Sequence, residues 1–267
     1  MSKSSVGGAG VMQVNEMAAP VEGFVREDGW YAPYDYWLTL WGLYDLYAYA
    51  LALLGDVKGK VLLDCGCGPG HTSVMLAKRG ATVTAFDTAV GQLETAGKLA
   101  AVNGVNVTFL CKPFEELDFP DASFDLVFGT FVLHHVDLPR ASRQIERLLK
   151  PGGRAVFIEN SALNPLLMFA RNKVCGRLGV PQYSDEHEHP LTREDIATLQ
   201  RAFPGDCTIH FPSLLFFRLL DFYVFKKRLP WMTSLLLRCD QVAGSIPSLR
   251  RYGYLQIVEL GKRPVGA

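Results

Sequence analysis

The sequence lacks an excess of charge of either sign, because Lys and Arg total 27 and Asp and Glu also total 27 in 267 residues. A balanced chain has no overall field that attracts polyanions, so nucleic-acid binding would require a local basic patch. No basic stripe lies beside the glycine-rich segment at residues 60–72. We therefore expect no nucleic-acid partner.

Cysteine is also scarce, with six residues at positions 65, 67, 111, 175, 207 and 239. They lack the density of a disulfide scaffold and the paired C-x-x-C spacing of a zinc site. Reduced thiols of this kind suit the cytosol, so a cytoplasmic location is expected. Cys65 and Cys67 flank a glycine, and we interpret them as small side chains that fill tight space.

Neither a secretory signal nor a membrane-spanning segment is predicted. The first residues have no charged start that leads into an apolar core, and residues 1–20 instead have the composition of a disordered tail. Residues 36–54 are apolar, but Asp45 near their middle would cost ~2.5–3.5 kcal/mol inside a bilayer. We expect a buried helix there, within an N-terminal helical lid at residues 21–58. Tyr31 and Tyr34 precede this helix and are predicted to fold over a bound ligand.

The segment from Lys60 to Thr72, which reads KVLLDCGCGPGHT, combines an apolar run, an acid and three glycines at alternate positions. Val61 to Leu63 predict a strand that ends in Asp64, and helix-forming residues resume at Ser73. Glycines between a strand and a helix allow positive φ and let a ligand approach the backbone. The segment therefore predicts a ligand site built from main chain at a strand-to-helix turn.

Strands and helices then alternate along the chain. The predicted strands lie at residues 61–64, 82–87, 107–111, 124–129, 154–159, 207–211 and 254–260. This spacing predicts right-handed βαβ crossovers and a parallel sheet that is covered on both faces, an α/β fold. Such sheets bind ligands beyond the carboxyl ends of their strands. Asp64, Asp87, Thr130 and Glu159 are therefore expected to converge at one edge, and Pro-Gly-Gly at residues 151–153 is expected to close the helix before the fifth strand.

The chain between the sixth and seventh strands is predicted to be an inserted helical subdomain at residues 212–252. Residues 213–252 carry seven Lys or Arg and two Asp, a net charge of +5. Apolar positions nearly encircle the first helix and are interrupted only by Arg218 and Asp221. A helix of this kind is either buried or faces lipid. Packing against the main domain and peripheral contact with a membrane both remain open.

Glycine spacing separates two nucleotide-binding patterns. A dinucleotide fold requires G-x-G-x-x-G, whereas here glycines at positions 66, 68 and 70 follow an acid. This form resembles the first motif of class I S-adenosylmethionine-dependent methyltransferases. The resemblance covers residues 59–160 and includes VLLDCGCGPG, TAFD, FPDASFDLVFGTFVLHHV and RLLKPGGRAVFIE. Within that family, the chain is similar to the small-molecule group that contains the quinone-biosynthesis enzymes.

The resemblance implies a methyltransferase domain at residues 59–267 with a Rossmann-like, seven-stranded, mostly parallel sheet. The implied strand order is 3-2-1-4-5-7-6, with strand 7 antiparallel. S-adenosylmethionine is the implied cofactor and S-adenosylhomocysteine the product. The predicted activity is methyl transfer to oxygen, carbon or nitrogen of a small, hydrophobic acceptor.

The cofactor-binding residues follow from the same resemblance. Asp64 is implied to organise the turn, Asp87 to accept both ribose hydroxyls, and the residues from Thr130 to pass beneath the sulfonium. The implied set is Asp64, Gly66, Cys67, Gly68, His71, Thr72, Asp87, Thr88, Phe114, Thr130 and Phe131. Relatives have an aspartate where this chain has Pro113-Phe114, so adenine recognition is expected to fall to the backbone and ring of Phe114.

A general base is needed only when the acceptor must lose a proton. His134 and His135, after the fourth strand, are the best-placed candidates, and His189 is the next. A structural role for the Leu-His-His segment is the alternative. Acids and histidines at residues 185–189 are contiguous in one loop, and we interpret them as a solvated charged run rather than metal ligands. No metal is expected.

The acceptor pocket is predicted to lie between the N-terminal aromatic segment, a helix at residues 165–178 and the insertion. The polar groups expected to contact the acceptor are Tyr31, Tyr34, Asn160, His189 and Arg218. Two alternatives stay open. One is an enzyme that binds S-adenosylmethionine and catalyses a cyclisation without methyl transfer. The other is a membrane-associated methyltransferase that acts on a lipid or a quinone. The sequence leaves the oligomeric state open.

Overall fold

The computed structural model describes residues 44–176, 189–225, 228–264 and 266. The strands are β1 (Val61–Cys65), β2 (Thr82–Asp87), β3 (Val107–Cys111), β4 (Phe124–Thr130), β5 (Leu149–Asn160), β6 (Cys207–His210) and β7 (Leu255–Gly261). The helices are α1 (Tyr44–Leu54), α2 (His71–Lys78), α3 (Val90–Val102), α4 (Leu138–Leu148), α5 (Pro165–Lys173), α6 (Arg193–Ala202), α7 (Phe217–Leu220), α8 (Pro230–Gly244) and α9 (Pro247–Arg250). Short 3₁₀ turns occupy Phe114–Glu116 and Leu133–His135, and a π-helical turn, Asp221–Phe225, follows α7.

The seven strands form a sheet of order β3-β2-β1-β4-β5-β7-β6. The pairs from β3 through β5 are parallel, and β7 is antiparallel to both of its neighbours. The predicted strand order and the reversed last strand are confirmed. Because the order reverses between β1 and β4, the carboxyl ends of these two strands flank the crevice in which such sheets bind ligands.

Alternate residues of the central strands are buried on opposite faces of the sheet. Leu62 and Phe128 belong to one core cluster, whereas their chain neighbours Leu63 and Val127 belong to the other. Helix α1 contributes to the first cluster, and helices α4 and α6 contribute to the second. Burial on both faces explains why β1 and β4 are nearly continuous apolar runs rather than alternating ones.

The apolar segment at residues 36–54 is described from Tyr44 onward, where it forms α1. Leu46, Tyr47 and Ala50 are at most 2% exposed and join the core cluster that contains Leu62 of β1 and Val156 of β5. The predicted buried helix is confirmed for these residues. None of the helices in the described ranges has the length and hydropathy needed to cross a bilayer.

Strand β5 begins well before its predicted start at Arg154. Pro-Gly-Gly at residues 151–153, expected only to end the preceding helix, is part of the strand. The N–H of Gly152 donates to the Lys262 carbonyl at 2.7 Å, and the N–H of Lys262 donates to the Gly153 carbonyl at 3.0 Å. Pairing with the chain beyond β7 therefore extends the strand, and a local pattern contains no sign of so distant a partner.

The described residues between β6 and β7 are mainly helical, and one buried acid joins the helices to one another. Asp240 on α8 is 3% exposed and accepts the N–H groups of Phe216, Phe217 and Arg218 at 2.8, 2.9 and 2.9 Å. These are the otherwise unpaired donors at the start of α7. The carboxylate of Asp240 therefore ties two helices of the insertion together.

Close packing at the end of β4 predicts a large effect of one methyl group. In Gly129→Ala the new Cβ would lie 2.7 Å from the Phe157 ring and 2.8 Å from Val132 Cγ1. Overpacking of this kind should lower the free energy of unfolding by about 1–3 kcal/mol. Gly97→Ala in α3 is the control because its Cβ would meet nothing within 4 Å, and it should raise stability by up to about 1 kcal/mol. Urea denaturation measures both, and equal stabilities would contradict the packing described.

Candidate active site

The segment between β1 and α2 turns tightly at the carboxyl edge of the sheet. Gly66, Gly68 and Gly70 have φ angles of 62°, 51° and 81°, in the left-handed region that other residues rarely adopt. The N–H of Cys67 donates to the Phe86 carbonyl at 3.0 Å, which ties the turn to β2. The strand, turn and helix start that the sequence predicts are all present.

The three glycines differ in what surrounds them. A Cβ on Gly66 would lie 2.8 Å from Val132 Cγ2, and one on Gly70 would lie 2.6 Å from Ala96 Cβ. At Gly68, within the described part of the chain, no atom lies within 4 Å of that position. Gly66 and Gly70 therefore permit close packing, whereas Gly68 leaves an open face at which a ligand can reach the main chain.

Asp87, at the end of β2, lies beside this open face. Its Oδ2 accepts the N–H of Gly68 at 2.8 Å, and its Oδ1 accepts the N–H of Ala89 at 2.9 Å. The sequence predicts an acid at this edge but not its bond to the glycine turn. Each carboxylate oxygen has a second lone pair, so the side chain retains capacity to accept hydrogen bonds from a ligand.

Asp64 is a second acid, placed beneath the turn and 2% exposed. Its Oδ2 accepts the hydroxyl of Ser73 at 2.5 Å. Burial raises the pKa of the Asp64 carboxyl to about 7, the bond from Ser73 opposes this rise, and the charge of Asp87 adds to it. Asp64 therefore joins the end of β1 to the first turn of α2.

The backbone after β4 is strained. Phe131 has a φ of 55°, which is uncommon for a bulky residue, and its N–H donates to the Ile158 carbonyl at 2.8 Å. Oγ1 of Thr130 is buried and has no hydrogen-bond partner among the described residues. A buried hydroxyl without a partner is costly. Strain and an unsatisfied polar group at the same sheet edge are typical of a ligand site.

Glu159, at the end of β5, is fully buried and holds the segment that follows β4. Its Oε1 accepts the N–H groups of Val132 and Leu133 at 2.8 and 2.6 Å, and its Oε2 lies 2.7 Å from Nδ1 of His134. The side chain of His134 is 6% exposed. His135 is exposed, and its ring centroid lies 4.1 Å from that of His134. The two candidate bases thus differ, since a buried carboxylate anchors His134.

Other residues of the predicted cofactor set surround the turn. Cys67 and Thr72 are buried, and burial raises the pKa of the Cys67 thiol far above its ordinary value. His71 begins α2, and burial lowers its pKa to about 4. Thr88 is exposed directly after β2. The structure therefore brings these residues to the same edge as the glycine turn.

Phe114 is placed differently from the sequence-based expectation. It is 2% exposed, and its ring meets that of Phe86 edge-on with centroids 5.3 Å apart. The ring is thus part of the core and presents no face for stacking on adenine. Only the backbone of Phe114 stays in the predicted cofactor set.

The predicted acceptor residues lie in different parts of the structure. The carbonyl oxygen of Asn160 accepts the N–H of Leu191 at 3.0 Å, which places residues 189–191 beside the end of β5. The side chain of His189 is 63% exposed, and its Nδ1 lies 3.8 Å from Asp195 Oδ2. Asn160 and the segment of His189 therefore lie at the same edge of the sheet.

Arg218, by contrast, pairs with a buried acid of the insertion. Its Nε lies 3.5 Å from Oδ2 of Asp240, the acid that also holds its backbone N–H. An arginine in this position is a structural partner, and the expected contact with an acceptor is not supported. Tyr31 and Tyr34 lie outside the described residues.

In the described ranges, no three His, Cys, Asp or Glu side chains are grouped so that they could hold a metal ion. The charged loop at residues 185–188 lies outside those ranges. The expected absence of a metal therefore stays a prediction.

Comparison with known proteins adds to this geometry. Residues 63–157, which run from β1 into β5, match the family described as a methyltransferase domain. The chain therefore contains a domain of the class I S-adenosylmethionine-dependent methyltransferases at these residues. The predicted family is therefore confirmed, and the open turn beside Asp87 lies within the matched part of the methyltransferase domain.

Curated relatives of this chain are distant. It is 38% identical over 100 residues to a malonyl-[acyl-carrier protein] O-methyltransferase of Serratia marcescens, a stretch that covers 37% of this chain and 38% of that protein. It is 33% identical over 154 residues to a ubiquinone biosynthesis O-methyltransferase of Bordetella avium, which covers 56% of this chain and 63% of that protein. The chain thus spans less than two thirds of either relative.

Solved structures share the fold of this chain. An S-adenosylmethionine-dependent methyltransferase from Mesorhizobium loti aligns with a TM-score of 0.54 at 21% identity, covering 81% of this chain and 97% of that one. The [4+2]-cyclase SpnF aligns with a TM-score of 0.55 at 20% identity, covering 82% of this chain and 80% of that one. At these identities the likeness concerns the fold alone.

The raised pKa of Asp64 predicts a pH-dependent stability. Because the folded chain keeps the Asp64 proton up to about pH 7 while the unfolded chain loses it near its ordinary pKa, stability falls between about pH 4 and pH 7. Asp64→Asn removes this loss. The unfolding free energy of the variant, relative to wild type, should therefore rise by up to about 4 kcal/mol across that window. Denaturant titrations at pH 4 and pH 8 measure the change, and a constant difference between the two proteins would refute it.

Proposed function

We propose that this chain transfers a methyl group from S-adenosylmethionine to a small, apolar acceptor. The observation that carries the proposal is the open face of Gly68 beside the Asp87 carboxylate, at the switch point of a sheet whose family is known. Backbone without side chains suits a ligand with a long flexible arm, and a nearby carboxylate suits a ligand with hydroxyl donors. Both demands fit the methionine and ribose parts of this cofactor.

The residues present fit the cofactor in three further respects. The unsatisfied Oγ1 of Thr130 is a buried donor at the same edge. Asp87 can accept ribose hydroxyls through the lone pairs that Gly68 and Ala89 leave free. Exposed Thr88 and Val90 are available to border the adenine. The rest of the binding set proposed from the sequence lies around the same turn, namely Asp64, Gly66, Cys67, His71, Thr72, Phe131 and the backbone of Phe114.

When bound, S-adenosylmethionine supplies an electrophilic methyl group, so the chain has chiefly to orient the acceptor and exclude water. Glu159 serves this task because it holds two consecutive backbone N–H groups after β4 and thereby fixes the floor of the crevice. Its bond to Nδ1 of His134 also orients that ring. With the proton on Nδ1, the other ring nitrogen can accept a proton from an acidic acceptor.

We therefore assign His134 as the base for acceptors that must lose a proton, with Glu159 as its positioning residue. His135 and His189 are exposed, so burial does not fix either ring at the sheet edge as it fixes that of His134. The curated relatives are named O-methyltransferases, which favours oxygen as the receiving atom. Exposed Leu166 and Phe169 on α5, beside the end of β5, support an apolar acceptor.

Removal of the Asp87 carboxylate tests the cofactor site. Asp87→Ala should weaken binding of S-adenosylhomocysteine by about 2 kcal/mol or more, roughly thirtyfold, because it deletes a charged acceptor of two hydrogen bonds. Isothermal titration calorimetry measures the dissociation constant, and thermal unfolding checks that the variant is folded. Asp56→Ala, which removes an exposed carboxylate outside the site, is the control. Equal affinities for the Asp87 variant and wild type would show that the assignment is wrong.

Product analysis tests the reaction. With a panel of phenolic and quinol acceptors, the chain should release S-adenosylhomocysteine and give a product heavier by one methylene, in the presence of EDTA as well as without it. His134→Gln should slow transfer to a phenol by about a hundredfold, whereas His135→Gln should not. A product of unchanged mass without S-adenosylhomocysteine would contradict methyl transfer and favour the cyclisation alternative. Loss of the reaction with EDTA and its recovery with Mg²⁺ would overturn the expectation that no metal is used.

A further inference from the structure

The outward face of the insertion is unusual for a protein surface. On α8 the exposed positions follow a helical spacing of three and four residues, so they form one stripe along the helix. This stripe contains Trp231, Leu235 and Val242, which are 62%, 50% and 68% exposed. Arg238 lies between the last two and is also exposed. The stripe also contains the uncharged polar residues Ser234 and Gln241. The helix thus presents three large apolar side chains and a cation, with no acid, where a surface helix normally presents mixed polar groups.

Exposed apolar side chains are concentrated in this insertion. Of the thirteen large hydrophobic residues that are exposed in the described ranges, eight lie between residues 220 and 249. They are Leu220, Val224, Leu229, Trp231, Leu235, Val242, Ile246 and Leu249. Single exposed apolar residues are ordinary on proteins, but eight within thirty residues, on elements that pack against one another, indicate an interaction surface.

In the insertion the acids are buried, whereas most of the described arginines are exposed. Its two acids, Asp221 and Asp240, are 1% and 3% exposed, so neither contributes negative charge to the surface. Arg228, Arg238, Arg250 and Arg251 are all exposed. Among the described residues, Arg228 and Arg238 have no ion-pair partner, since the only ion pair in the insertion joins Arg218 to Asp240. The exposed surface is therefore apolar and basic, with no acid.

We propose that this face, formed by α7, the π-helical turn, α8 and α9, docks on a membrane surface rich in anionic lipids. Arginines attract the negative headgroups, while Trp231 and the leucines enter the boundary between headgroups and acyl chains. Tryptophan prefers that boundary because one part of its ring system is apolar and the other is a hydrogen-bond donor. Helices of this length lie in the interface rather than cross it.

Other occupants fit the surface less well. Two copies of this chain that met through it would bring arginines against arginines, without an exposed acid of the insertion to compensate. A nucleic acid would pair with the arginines but would leave Leu235 and Val242 against a charged backbone. Of these three occupants, only anionic lipid offers both negative charge and an apolar layer.

Vesicle binding by the 267-residue chain tests the proposal. Sedimentation with vesicles of phosphatidylcholine containing phosphatidylglycerol should capture the protein, and vesicles of phosphatidylcholine alone should bind at least tenfold more weakly. Binding should fall as NaCl is raised, because the attraction is electrostatic. Arg238→Glu should weaken it by about fivefold or more, and Trp231→Ser by a similar factor.

Matched variants separate the face from general surface effects. Arg143→Glu on α4 reverses an exposed arginine elsewhere, and Val102→Ser on α3 matches Val242→Ser because the two valines are 62% and 68% exposed. Arg143→Glu and Val102→Ser should bind vesicles as wild type does, whereas Val242→Ser should bind more weakly. S-adenosylhomocysteine binding that is unchanged in every variant would establish that the fold is intact and that only membrane docking is altered.

Any of three results would overturn the proposal. They are no binding of the wild-type chain to the phosphatidylglycerol vesicles, equal binding to neutral vesicles, and equal binding by Arg238→Glu and Arg143→Glu. A dimer in analytical ultracentrifugation that Trp231→Ser dissociates, together with no vesicle binding, would assign the face to a second copy. These outcomes are independent of methyl transfer, so the proposed function and the proposed docking can fail separately.

Discussion

The carboxylate of Glu159 is the contact on which the edge of the sheet depends. It is fully buried, and it accepts two consecutive N–H groups from the segment after β4 while it holds the ring of His134. That segment includes Val132, whose side chain lies where a Cβ on Gly66 or Gly129 would have to be. A buried charge is tolerable only when it is bonded in this way. Glu159 therefore fixes the segment whose Val132 packs against Gly66, one wall of the crevice beside the open face of Gly68.

Asp64 and Asp87, which lie under and beside the glycine turn, have different roles. Asp64 is shielded from solvent and bonded to Ser73, so it links strand to helix and titrates near neutral pH. Asp87 is less buried, bonds to the backbone of the turn and keeps lone pairs for a ligand. The same residue type thus supports packing at one position and, in the proposed function, cofactor binding at the other, because burial differs between them.

Much of this arrangement could be predicted because it rests on local patterns. Apolar runs ended by an acid mark β1 and β2, and the bounds of β2 and β3 are those the sequence indicates. The parts that could not be predicted depend on distant partners. The extension of β5 depends on backbone pairing with Lys262, and the buried ring of Phe114 packs against Phe86. Arg218 lies inside the insertion because it pairs with Asp240. No regular spacing in the sequence predicts any of these contacts. Glu159 was expected at the edge, but its bonds to the backbone after β4 became visible only in the structure.

The chain is electrically neutral as a whole but not in its parts. The insertion at residues 213–252 carries a net +5, which leaves −5 for the remainder. Because both acids of the insertion are buried, its surface is more basic than this net charge suggests. A field of this kind would orient the protein at an anionic surface, with the insertion toward the lipid and the remainder toward water.

The proposed function requires that the turn beside Asp87 binds S-adenosylmethionine rather than a dinucleotide. Calorimetric titration of the wild-type chain with S-adenosylhomocysteine, and separately with NAD, tests this most directly. We expect saturable one-to-one binding of S-adenosylhomocysteine and no heat of binding with NAD. Binding of NAD, or no binding of S-adenosylhomocysteine by the folded chain, would contradict it.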